Sequence, residues 1–294
     1  MSGHEEAAHL ALRQDEPPIP VLPYALHWRA GGLKPGAHAA SGSGGEGAFR
    51  GVVPLLAHAD PRRIDVRSSI RDPFEAIKVR TFAPRRAITV AVMVDLSGSM
   101  GFANLKAEAA QLAAAIAASA HAAGDSFALV AADRAPRPDL YLPPSRRRGL
   151  AREVRARLEA APCAGDSARG LAAAAEDLPG TRCLLFLVSD FLMPEADMAV
   201  ILDALFRHDV IPVVVRDSRA EGDLPRFGLL DMIDAESGRR RLVLMRPDLR
   251  DRWRARATAR AKARDSLFAA RGMRPFHLTD RFDPDALLDH LARR

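Results

Sequence analysis

Three side chains able to ligate a hard cation or to act as nucleophiles stand at alternate positions in AVMVDLSGSM, residues 91–100: Asp95, Ser97 and Ser99. A run of apolar residues stops at a carboxylate, and two hydroxyls follow with Gly98 between them. The pattern can be a turn without a ligand, a nucleophile or a metal site. In a tight turn after a strand, alternate side chains can point to one side, which lets the carboxylate and both hydroxyls converge on one ion. Hard divalent cations take such oxygen ligands, and Gly98 lets the backbone fold closely around the point of convergence. A second apolar run, LLFLVSDF, ends the same way at Asp190, and a third, VVVRD, at Asp217. If the first two runs are neighbouring parallel strands, Asp95 and Asp190 come close together. Facing carboxylates repel unless a cation or a proton lies between them. Mg²⁺ (or Mn²⁺ or Ca²⁺) resolves that conflict, and one of its water positions can accept a partner's carboxylate.

The enzyme alternative is a Mg-dependent hydrolase or phosphatase with Asp95 as nucleophile. A haloacid-dehalogenase-like phosphatase needs a second Asp two residues on, where Ser97 stands. Neither Ser97 nor Ser99 lies in the Gly-x-Ser-x-Gly frame of a serine hydrolase. The nine histidines form no H-x-x-x-H or H-E-x-x-H pattern. GSGGEG, residues 42–47, matches a dinucleotide fingerprint formally but has no helical pattern after it. No Gly-Lys-Ser/Thr element occurs, so ATP hydrolysis is expected only from a partner. A binding protein is expected rather than an enzyme.

The elements that must hold these residues are legible as alternating strands and helices. AITVAVMVD, SFALVAAD, RCLLFLVSD and VIPVVVRD are continuous apolar runs of strand length, the pattern of strands buried on both faces. Between them, NLKAEAAQLAAAIAASAHAAG, RRGLAREVRARLEAAP, SARGLAAAAEDLPG and PEADMAVILDALFRH read as helices. LYLPP reads as a short edge strand, FGLLDMIDAESG with RRLVLM as a hairpin, and MRPFHLT and PDALLDHLARR as a last strand and helix. This predicts an α/β fold with a Rossmann-like, doubly wound, mostly parallel sheet over 86–294. Ligands sit outside the carboxyl ends of such strands. A β-rich lead-in of poor regularity is expected over 26–85, and a disordered, proline-rich segment over 1–25.

Composition narrows the class further. Of 294 residues 48% are hydrophobic but only 5% aromatic, so the core must be built from Ala, Leu and Val. No run approaches the ~18 apolar residues of a membrane span, and the first residues lack the pattern of a signal peptide. A soluble cytoplasmic protein is expected. Cys163 and Cys183 are too few and too far apart for a zinc ribbon or a redox pair. The net charge of +6 comes almost entirely from arginine and is densest over 246–265. Asp248, Asp251 and Asp265 interrupt that stretch and base-stacking aromatics are scarce, so it reads first as a solvated helix face and second as a surface for an acidic protein partner, ahead of a nucleic-acid stripe. Arg62, Arg63 and Asp65 read as an internal ion-pair network.

The arrangement resembles the von Willebrand factor type A domain and its metal-ion-dependent adhesion site, whose pattern is Asp-x-Ser-x-Ser, a Thr in a later loop, and an Asp after a further strand. Asp95, Ser97, Ser99 and Asp190 match position by position. The Thr does not: Gly165 is followed by Asp166 and Ser167, either of which can supply the missing oxygen. Residues 59–65, with Val66 in place of a usual Trp, and the later VSDFL and HDVIPVVVRD are similar to bacterial proteins of domain-of-unknown-function family 58; the similarity spans roughly 30–290. Relatives are often encoded beside MoxR-type AAA+ ATPases, with methanol-oxidation clusters the best-known setting. The resemblance implies a metal-dependent adaptor that works with such an ATPase in assembling, or loading metal into, a client bearing an acidic side chain. Many relatives carry N-terminal transmembrane helices; this sequence shows none and is read as a soluble version.

Overall fold

The computed structural model describes residues 18–28, 30, 35–40, 47–57, 60–165, 167–218, 225–233 and 240–294. The lead-in is a three-stranded antiparallel sheet of β1 (Pro35–Ala39), β2 (Gly47–Pro54) and β3 (Lys78–Arg86), in the order β1-β3-β2. Between β2 and β3 a single turn, α1 (Val66–Ile70), opens at Asp65, whose carboxylate accepts from Ser68 N at 2.9 Å. Its other oxygen accepts from Arg80 Nε at 2.7 Å. The ion pairs expected here therefore exist, but with other partners: Asp65 reaches across to β3, and Arg63 pairs with Asp60 at 2.8 Å.

The main sheet has six strands: β4 (Thr89–Asp95), β5 (Ser126–Ala132), β6 (Leu142–Ser145), β7 (Leu184–Ser189), β8 (Asp209–Arg216) and, after the separate hairpin β9 (Gly228–Ile233) and β10 (Arg240–Met245), β11 (Phe276–Thr279). Their order is β11-β8-β7-β4-β5-β6, all parallel except the edge strand β6. The chain winds outward from β4 through β5 to β6, then returns to place β7 on the other side of β4. The direction of winding thus reverses between β4 and β7, which is where a doubly wound sheet opens a crevice for ligands.

Two cores explain why the strands read as unbroken apolar runs. Alternate residues of a strand point to opposite faces. Val90, Val92 and Val94 face one core, with Leu112 and Ile116 of α2 (Leu105–Ala122), Leu158 of α3 (Leu150–Ala160) and Leu287 of α7 (Pro284–Ala292). Ala91 and Met93 face the other, with Leu171 of α4 (Gly170–Ala174), Ile201 of α5 (Glu195–Ala204) and Phe268 of α6 (Pro247–Ala270). Each fully buried Val, Leu or Ile contributes roughly 1.5–3 kcal/mol. Both faces of β4 are covered, and after the apolar run 90–94 its carboxyl end offers the buried Asp95.

Two elements differ from the expectation. The helix expected over SARGLAAAAEDL is only the five residues of α4, continued by a 3₁₀ turn over Ala175–Asp177. Its first residue is glycine because the backbone there lies against Ala135: a Cβ on Gly170 would stand 2.6 Å from Ala135 backbone atoms. The N-terminal segment expected to be disordered over 1–25 lies outside the described residues as far as 17. From Pro18 onward it is a strap laid on the first core: Leu22 is buried, and its N–H donates to Ser119 Oγ at 2.8 Å. Asp125, fully buried before β5, holds strap, lead-in and sheet together. It accepts from Tyr24 Oη and from Ile88 N (2.9 Å), and pairs with His38 Nε2 at 2.6 Å.

Candidate functional site

Asp95 and Asp190 end adjacent parallel strands. Val94 pairs with Val188 in register, which sets Asp95 beside Ser189 and puts Asp190 one residue beyond. Asp95 is fully buried and both its oxygens are engaged: Oδ1 accepts from Ser97 N at 2.8 Å and Oδ2 from Ser189 Oγ at 2.6 Å. The chain then turns through a short 3₁₀ segment, Gly98–Gly101, that buries Ser97 and Ser99 with their hydroxyl oxygens 3.2 Å apart. The convergence expected for Asp95, Ser97 and Ser99 is thus a property of this turn. Ser189 was not singled out from sequence, because only the register between β4 and β7 makes its hydroxyl a partner of Asp95.

Asp190 is 6% exposed, and its Oδ1 accepts from Leu192 N at 3.0 Å. Its Oδ2 is buried with no hydrogen-bond partner. Phe191, next in the chain, adopts the left-handed region (φ 53°), which costs a non-glycine residue about 1–2 kcal/mol. That turn is held by Phe191 N donating to Ser189 Oγ at 2.9 Å and by the edge-on packing of its ring on Phe268, with centroids 5.1 Å apart. Strain of this kind persists only where the surroundings enforce it; Asp190, just before it, lies near enough to the β4 turn to act on Asp95 and to meet the Ser99 hydroxyl.

Charge at the site is unfavourable for two bare carboxylates. Burial, then the neighbouring Asp190, pushes the Asp95 carboxyl up to about 6, against the pull of the Ser189 and Ser97 hydrogen bonds. Burial likewise raises Asp190, opposed by the Ser99 hydroxyl and Leu192 N–H. Among the described residues no group of three His, Cys, Asp or Glu side chains could hold a metal. The donor set here is instead two carboxylates and two hydroxyls, all oxygen, with one carboxylate oxygen buried and unpartnered. Oxygen donors of this kind suit a hard cation.

The loop expected to complete the set crosses directly over the turn. Gly98 N donates to Gly165 O at 3.1 Å and Ala164 N to Leu96 O at 3.0 Å. Gly165 has φ +89°, a conformation that favours glycine. Asp166 lies outside the described residues. Ser167 has its hydroxyl engaged within its own loop, accepting from Arg169 N at 3.0 Å. Asp217, the third strand-end carboxylate, follows β8 and so lies one strand removed from the pair.

The protein family described as "Protein of unknown function DUF58" matches residues 59–263, and the chain belongs to this family. The matched span contains Asp95, Ser97, Ser99, Ser167 and Asp190. The chain is also 37% identical over 108 residues to the "Uncharacterized protein in moxR 3'region" of Paracoccus denitrificans, a stretch covering 35% of this chain and 99% of that relative. Among the described residues no helix is long and apolar enough to cross a membrane.

Proposed function

We propose that the chain is a metal-dependent protein-binding adaptor of the von Willebrand A type, working with a MoxR-type AAA+ ATPase in the assembly or metal loading of a client complex. The observation that carries this is the unpartnered, buried Oδ2 of Asp190 facing a turn that presents the hydroxyls of Ser97 and Ser99 beside Asp95. Ser97, Ser99, Asp95 and Asp190 would hold the ion, with Asp166 or Ser167 as a further oxygen. Mg²⁺, Mn²⁺ or Ca²⁺ bound there neutralises the carboxylate pair and offers a position to an acidic side chain of a partner. The protein's own part is orientation. Ser189 and Ser97 N fix Asp95, Leu192 N fixes Asp190, and the short 3₁₀ segment holds Ser99 inward beside Ser97. The name of the Paracoccus relative supports the ATPase partnership through its place beside moxR. Phosphoryl transfer to Asp95 is disfavoured, because Ser97 stands two residues on where a second aspartate would have to act as general acid.

Thermal unfolding with Mg²⁺ or Mn²⁺ against EDTA tests this on wild type and on a Ser97→Ala/Ser99→Ala variant. An ion at 100 times its Kd adds about 2.7 kcal/mol to the folded state. A metal-dependent rise in wild type that the variant lacks is expected. Equal melts with metal and EDTA, or phosphoester turnover abolished by Asp95→Asn, would overturn the proposal.

A further inference from the structure

Beside the Asp190 turn lies an open cleft of about 810 Å³, walled on one side by residues 191–198 and on the other by α6. Its floor is apolar and built largely of unbranched or exposed side chains: Leu192, half exposed, with Met193 and Met198. Methionine lets such a surface adapt to varied partners. Its lining carries four arginines against two carboxylates: Arg134, Arg169, Arg260 and Arg264, with Glu195 and with Asp197, which pairs with Arg169 at 3.0 Å; Arg260 and Arg264 lie one turn apart on α6. Arg264 is the exception on an otherwise solvated helix face. It is only 7% exposed, and Nε donates to Asp265 Oδ1 at 2.9 Å. Nη2 lies 2.9 Å from that same oxygen, yet makes no directed hydrogen bond. The Arg264 guanidinium is thus held through a single carboxylate oxygen of Asp265, and it belongs to a residue that lines the cleft.

The cleft is far larger than an inorganic anion. Glu195 and Asp197 already supply carboxylates to the first turn of α5, where a small phosphate would otherwise be drawn. An extended chain carrying both carboxylates and apolar side chains fits the basic rim and the methionine floor together. We infer that this cleft seats an acidic, partly apolar segment of a partner protein, with a carboxylate on Arg264 and Arg260 and apolar side chains against Leu192, Met193 and Met198. The inference rests on the adaptor reading for the ligand's being a protein segment. The cleft adjoins the Asp190 turn in the chain and shares Ser167 with the neighbouring loop, so one bound segment spans both.

The test is fluorescence anisotropy of the full chain with a labelled peptide of alternating aspartate and leucine, in Mg²⁺ and in EDTA. Arg260 is exposed, so Arg260→Glu should leave folding intact; it is expected to weaken binding about tenfold. Lys262→Glu, the same charge change on the far side of the helix, should leave binding unchanged. Arg260→Lys should restore part of the loss. The asparagine–leucine counterpart should not bind. Binding that depends on Arg260 but survives EDTA would support the cleft and defeat the metal reading. Binding that needs metal but ignores Arg260→Glu would defeat the cleft and leave the metal reading standing. Absence of binding in wild type, or Arg260-dependent retention of a labelled single-stranded oligonucleotide in place of the peptide, would also overturn the inference.

Discussion

In EDTA, Asp95→Asn is expected to make the protein more stable at neutral pH. Raising a carboxyl from 3.8 to about 6 on folding corresponds to about 3 kcal/mol of destabilisation once the group is ionised. Asparagine is nearly isosteric. Its oxygen still accepts from Ser97 N, and its amide donates to Ser189 Oγ in place of the bond that Asp95 receives from that hydroxyl. The Ser189 proton loses its acceptor, a loss of about 1 kcal/mol. The net expectation is a gain of about 2 kcal/mol. The sign with pH follows from the direction of the shift. The folded state holds the Asp95 proton more tightly than the unfolded chain, so wild-type stability rises as pH falls through about 6 toward 3.8. The advantage of Asp95→Asn is therefore full above about pH 6 and closes toward pH 4. Urea denaturation of both proteins across that range measures it. A variant less stable than wild type at neutral pH in EDTA, or a difference that does not change with pH, refutes the reasoning. Adding Mg²⁺ should reverse the ranking, because only wild type then gains the linkage energy.

Two further outcomes follow from packing. Gly170→Ala places a Cβ 2.6 Å from the Ala135 backbone, so it should cost about 1–3 kcal/mol in denaturant unfolding; a neutral result would mean that α4 shifts freely. Asp125→Ala removes the shared acceptor of Tyr24, His38 and Ile88 N, and at about 1–3 kcal/mol per orphaned donor should cost about 3 kcal/mol or more. It should also expose residues 18–28 to limited proteolysis; a strap that stays protected would show that Leu22 and Trp28 suffice to hold it.

Four strands of the main sheet were legible because both their faces are buried, so β4, β5, β7 and β8 read as unbroken apolar runs whichever neighbour they pair with. The carboxylates stood out for the same reason: Asp95 follows its apolar run directly, and Asp190 and Asp217 follow theirs after one polar residue, Ser189 and Arg216. What stayed hidden depends on contacts between distant segments. Ser189 matters because of strand register, Gly170 because of Ala135, and Leu22 because a proline-rich strap finds a core that its own composition does not announce. Arg264 was hidden by its surroundings, one buried arginine among many exposed ones with identical helical spacing.

The position of β4 at the reversal of winding has a consequence for biosynthesis. As the chain leaves the ribosome, β4 can pair with β5 early, since only the Gly98–Gly101 turn and α2 separate them. Its other edge then waits for β7, whose Ser189 is 94 residues away from Asp95 in the chain. Until β7 emerges, an apolar strand with an open edge is exposed, which is a template for pairing with other chains. The two halves of the candidate site are thus synthesised on opposite sides of that interval. A nascent chain stalled before residue 184 would carry Asp95, Ser97 and Ser99 without the strand that completes them, so completion of the candidate site and protection from aggregation arrive in the same step of synthesis.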